Sequence, residues 1–90
     1  MVSDGQGGGI VVWYDFRSGT NSDIYAQRVN GAGLVQWTVD GVAICTAVGD
    51  QLVPQIIADG SGGAIMVWED RRSDVSPDIF AQGISAGGLP

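Results

Sequence analysis

The chain has ninety residues and a formal net charge of −6, with fifteen Gly, ten acidic residues, four Arg, and neither Lys nor His. That usage is poor in the residues helices are built from and points to an all-β chain, while its charge opposes phosphate backbones and anionic lipid, so neither nucleic-acid nor membrane binding is expected. The absence of His excludes Ser/His and Cys/His nucleophile pairs and most transition-metal sites, and no catalytic residue, metal or cofactor is expected.

In chain order, Asp4-Gly5 and Gly7-Gly8 read as turn residues; no Lys or helix start follows that would make them a phosphate loop. "GIVVWYD" (9–15) reads as a strand, the polar "RSGTNS" (17–22) as a loop, and "DIYAQRV" (23–29) as a returning strand. The turn "NGAG" (30–33) leads into "VQWTVDGVAICT" (35–46), whose later part reads as another strand, with Cys45 a small hydrophobe among apolar neighbours. "PQIIAD" (54–59) is a short strand closed by Asp59-Gly60, followed by the strand "AIMVWED" (64–70), the loop "RSDVSP" (72–77) and the strand "DIFAQGI" (78–84). The apolar runs are too short to span a bilayer, and "MVSDGQGGG" has no signal-peptide pattern.

The second half repeats the first. Residues 4–29 overlie 59–84 without a gap, at an offset of fifty-five, and fourteen of the twenty-six aligned positions are identical. A period of that size marks stacked units, none of which covers its own apolar faces. Four strands in about fifty residues is the size of a β-propeller blade, and consecutive apolar residues in "IVVW" and "AIMVW" ask for cover on both faces of the sheet. The expected organisation is a first blade repeat over 1–46, holding strands two to four, and a second over 47–90, holding strands one to three. Blades left with open apolar faces are expected to associate with copies of the chain, two to four in number, or to belong to a longer repeat array.

The string "GDQLVPQIIADGSGGAIMVWEDRRSDVSPDIFAQ" (49–82), with "DIYAQRVNGAGLVQW" (23–37), resembles the blades of sialidase-like, Asp-box β-propellers, closest to the tandem repeats of large secreted or surface-anchored bacterial proteins. The resemblance implies blades of four-stranded antiparallel sheet and an extracellular or cell-surface location. The Asp-box turn is only echoed in "VNGAGLVQW" (29–37): Asn30 or Gly31 stands where Asp belongs, and Trp37 lies four residues past Gly33 instead of three. The sialidase catalytic residues find no counterparts, so the resemblance implies a non-enzymatic structural or interaction repeat, with a lectin-like carbohydrate-binding propeller as the alternative.

The candidate site residues are Asp15, Arg17 and Asp23, their counterparts Asp70, Arg72 and Asp78, and the aromatic Tyr14 and Trp37 as platforms for a sugar. Asp15 and Arg17 share a strand face, and Asp23 is expected opposite Arg17, as a charged clasp at the mouth of each hairpin. Trp13 and Trp68 are expected to pack between blades, Gln27 and Gln82 to satisfy backbone groups between blades, and the differing pairs Tyr14/Glu69 and Phe16/Arg71 to face away.

Overall fold

The computed structural model describes residues 1–72 and 77–90, and all of their regular structure is strand. Seven strands follow in chain order: β1 (Val2–Ser3), β2 (Gly9–Asp15), β3 (Asp23–Val29), β4 (Val42–Cys45), β5 (Gln51–Ala58), β6 (Ala64–Asp70) and β7 (Asp78–Ile84). They form two antiparallel sheets, β1-β2-β3-β4 and β5-β6-β7, each a meander in which sequence neighbours pair. The loop expected at 72–77 lies mostly outside the described residues.

β2, β3, β6 and β7 fall where their apolar patterns put them. β5 differs: it begins at Gln51, before Pro54, and passes through a bulge between Leu52 and Gln55 at which Val53 takes a φ of 54°. Pro54 donates no ladder hydrogen bond, and a bulge on an edge strand is where a sheet accepts it.

Polar side chains close the hairpins by the same device in both halves. Asp4 accepts the amide N–H groups of Gln6 (2.8 Å) and Gly8 (3.0 Å), and Asp59 accepts those of Ser61 (2.7 Å) and Gly63 (3.0 Å). Asn30 does the same for Ala32 and Leu34, at 2.9 and 3.0 Å. At Gly63 the neighbouring strand leaves no room: a β-carbon there would collide with the carbonyl oxygen of Ile84 and stand 2.7 Å from the Asp59 carboxylate.

The registers sort side chains onto faces. In the first sheet Ile10, Val12, Ile24 and Ala26 share one face, and Val11, Trp13 and Tyr25 the other. In the second, Met66, Trp68 and Phe80 share one face, and Ile65, Val67 and Ile79 the other. The core joins unlike faces: Ile10, Ile24 and Ala26 cluster with Met66, Trp68 and Ile84, with Val12, Cys45 and Phe80 packed around them. Trp68 packs between the two sheets. Its counterpart Trp13 stays half-buried on the far face of the first sheet, because no second sheet lies there.

Hydrogen bonds tie the sheets at both ends. The Gln51 amide donates to the Ser22 carbonyl (2.9 Å) and the Ser22 amide to the Asp50 carboxylate (2.9 Å). At the other end Arg28, held by Asp4 at 2.9 Å, and the Trp37 indole both donate to the carbonyl of Ala86, at 2.9 and 3.0 Å. Gln27 does not reach between sheets. Its carboxamide accepts the Trp37 amide and donates to the Thr38 carbonyl within the first sheet, because the chain after the 30–33 turn runs close beside β3. Among the described residues Gln82 bonds only the adjacent Gly83 carbonyl.

Gly63→Ala is expected to lower the unfolding free energy by about 2 kcal/mol, through the backbone collision at Ile84. Gly87→Ala, where the nearest atom to an added β-carbon is 3.9 Å away, is expected to stay within about 0.5 kcal/mol. Urea titrations of the two variants check the contrast.

Candidate functional site

The repeated residues form a stack of four side chains, once in each sheet. Alternation along β2 places Trp13 and Asp15 on one face, and register sets Tyr25 of β3 opposite Trp13. The Trp13 indole N–H donates to Asp15 Oδ2 at 2.9 Å. Arg17 returns to the same carboxylate, Nε at 3.0 Å and Nη2 at 2.7 Å from Oδ2, and its guanidinium lies 3.6 Å above the Tyr25 ring. Tyr25 in turn stacks on Trp13 with ring centroids 6.5 Å apart. Arg17 also donates to the Asp40 carbonyl at 2.8 Å, pinning the loop before β4.

The second sheet repeats the arrangement. Trp68 donates to Asp70 Oδ2 at 3.0 Å, Arg72 grips both carboxylate oxygens through Nε (2.9 Å) and Nη2 (2.7 Å), and its guanidinium stacks 3.9 Å from the Phe80 ring. Here the first sheet covers the stack, so Asp70 is fully buried whereas Asp15 is partly exposed. Cys45 of β4 brings its sulfur within 3.3 Å of Arg72 Nη2 and 3.9 Å of Asp70 Oδ2; its thiol is half-buried against this polar group, and burial pushes its pKa up.

These contacts set the electrostatics. Hydrogen bonds from Arg72, joined by the Trp68 indole and the Arg72 amide, outweigh burial and hold the Asp70 carboxyl at a pKa of about 2. Arg17 lowers Asp15 in the same way, and the Gln6 amide with Arg28 lowers Asp4. Each carboxylate of the stacks is therefore ionised and already engaged by donors, and each guanidinium is clamped between a carboxylate and a ring. Chemically the arrangement is a rigid clip across a hairpin.

Asp23 does not take the place expected for it. In register it stands directly opposite Asp15; Arg17 lies in the turn beyond the end of β2, not on a strand face with Asp15, and folds back to Asp15 instead of crossing to β3. Buried, with one carboxylate oxygen lacking a partner among the described residues, Asp23 has its pKa raised by desolvation and then by the Asp15 charge. Asp78, opposite Asp70, is exposed. Trp37 is not a surface platform either: its ring is in the core and its indole N–H is spent on Ala86. Tyr14 is exposed beside the exposed Phe16, and the counterparts Glu69 and Arg71 form an ion pair at 2.8 Å. Tyr25 and Phe80, the rings beneath the guanidinium groups, are the members of the stack that sequence reading missed. The spacing Trp-x-Asp-x-Arg, with an aromatic residue at the facing position of the next strand, is the signal that finds them.

Elsewhere a cleft of about 200 Å³ lies between the two Asp-Gly turns, lined by Ser3, Asp4, Gly5 and Ala58 with Gly60, Gly62 and Gly63. Its buried acidic group, Asp4, is already paired with Arg28. Among the described residues no group of three or more Cys, Asp or Glu side chains is placed to hold a metal ion. Comparisons with protein-family models, with curated proteins and with solved structures find no match to this chain.

Because the folded state binds the Asp70 proton less tightly than the unfolded chain, the stability it contributes is complete above pH 3.8 and drains as the pH falls toward about 2. Asp4 and Asp15 act in the same direction and Asp23 in the opposite one. Urea denaturation from pH 7 down to pH 2 is expected to show stability falling below pH 4. In Asp70→Asn that slope is expected to flatten, with stability at pH 7 lowered by about 1–3 kcal/mol as Arg72 and Trp68 lose their charged acceptor.

Proposed function

We propose that this chain is a non-enzymatic structural repeat whose two sheets act as propeller-type blades, and that its activity is to stack with further units of the same kind into a rigid ring or array displaying its hairpin loops. An extracellular or cell-surface setting fits the family resemblance of its repeats. The observation that carries this reading is the free face of the second sheet. Ile57, Ile65, Val67 and Ile79 lie there at exposures of 62, 41, 37 and 74%, a run of branched apolar side chains on both edge strands and the central one. An apolar patch of that kind marks a surface built to be covered. No Lys guards the sheet edges beside it, so the chain lacks a common deterrent to association.

Burying such a face stabilises association by roughly 25 cal/mol per Å² of apolar area, against a cost of order 4–15 kcal/mol for lost freedom. A few hundred Å² from each partner reaches balance. Sedimentation velocity over a wide dilution series is expected to show mass rising with concentration. Ile79→Lys is expected to weaken association at least about tenfold, leaving the stability of the dilute chain within about 0.5 kcal/mol, since this side chain is already in solvent. A chain that remains monomeric throughout would remove the reading.

A further inference from the structure

Resting on that reading of self-association, we infer that the contact between chains is head-to-tail: the free face of the second sheet docks on the Trp13 face of the first sheet of another copy. The internal contact supplies the argument. Within one chain, the Ile10, Val12 and Ile24 face of the first sheet covers the Met66, Trp68 and Phe80 face of the second. The fifty-five-residue offset maps the covering face onto Ile65, Val67 and Ile79, identical in residue type, and maps the covered face back onto Val11, Trp13 and Tyr25. The two surfaces left over by the internal contact are therefore the same pair of surfaces that forms it.

Burial records the difference in occupancy. Ile10 and Ile24 are 0% exposed, while their counterparts Ile65 and Ile79 stand at 41 and 74%. On the other side Met66 is completely buried, whereas its counterpart Val11 is only partly so. The clips differ in the same sense: the Asp70 side chain is fully buried, whereas the Asp15 side chain is 25% exposed. Two copies joined through like faces would set Ile79 against Ile79 and leave both Trp13 faces bare, so the self-complementary dimer leaves apolar surface that the head-to-tail contact hides. Because the joined surfaces differ, the contact propagates: every added copy presents a new free face, and assembly ends only by closing a ring or by running out of chain.

Complementation tests the polarity. Ile79→Lys disables the free face of the second sheet, and Val11→Lys disables the Trp13 face of the first. Each variant alone is expected to sediment as a monomer, their equimolar mixture as a dimer and nothing larger, and the unaltered chain as higher oligomers. Far-UV circular dichroism confirms that each variant is folded; should Val11→Lys not fold, the β-branched, near-isosteric Val11→Thr replaces it, with association weakened severalfold. If Val11→Lys still self-associates while Ile79→Lys does not, and mixing restores nothing, the contact joins like faces and the inference is overturned while self-association stands. If the unaltered chain itself never associates, self-association falls and the polarity with it.

Discussion

Everything in this molecule follows from the seating of one sheet's aliphatic face on the other's aromatic face. Neither sheet is amphipathic in the ordinary sense, since successive residues of β2 and β6 are apolar and the alternation of a strand sends them to opposite sides. A single sheet of this kind exposes one apolar face whichever way it turns. Two sheets solve the problem once, at the interface where Ile10, Ile24, Met66 and Trp68 disappear from solvent, each worth roughly 1.5–3 kcal/mol. They also restate it at the two outer faces. The fold is thus stable as far as it goes and unsatisfied at its ends, and that is a property of the sequence pattern before it is a property of any partner.

The Trp-Asp-Arg-aromatic stack belongs to this interface. An unpaired carboxylate in the position of Asp70 would cost several kcal/mol. The stack removes the cost locally: the charge is met two residues away on the same side of the hairpin, by a guanidinium whose flat face is in turn met by Phe80. Polar and aromatic groups arrive at the interface already satisfied by their own hairpin, so the opposing sheet has only to present aliphatic side chains and shape. Recognition between the two sheets is then a matter of apolar packing against a prepared surface, and the stack itself keeps its form with either Tyr25 or Phe80 as its ring.

The positions of β2, β3, β6 and β7 were legible because the repeat presents the same apolar runs and turns twice, and the two readings constrain each other. Less legible was which groups meet within the hairpin. Charge alone suggests that Arg17 reaches across to Asp23, but the turn that starts after Asp15, the indole donor and the facing ring together hold it on Asp15. Trp37 misled for a related reason: nothing near it in sequence shows that its indole has a buried acceptor, the carbonyl of Ala86, 49 residues away. Gln51 and Val53 lie outside any apolar pattern because their place in β5 depends on the bulge and on the Ser22 carbonyl. Local patterns locate strands, whereas long-range hydrogen bonds and packing decide what each side chain does there.

The division between repeated and altered positions has a physical order. Identity between the halves falls on the turn acids Asp4 and Asp59, on the Trp, Asp and Arg of the clip, and on the aliphatic face, which in the first sheet covers the second. Change falls on Tyr14 against Glu69 and Phe16 against Arg71, which flank the hairpin mouth. In the first sheet this pair is two exposed aromatic rings; in the second it is an ion pair of opposite charges at 2.8 Å, whose net contribution in water is small. Neither pair supports the core, so the mouth of each hairpin accepts rings or charges without altering how the sheets stack. Within this chain, then, the residues that close hairpins and pack the sheets stay the same between the halves, while those at the hairpin mouth change in chemistry without changing the backbone around them.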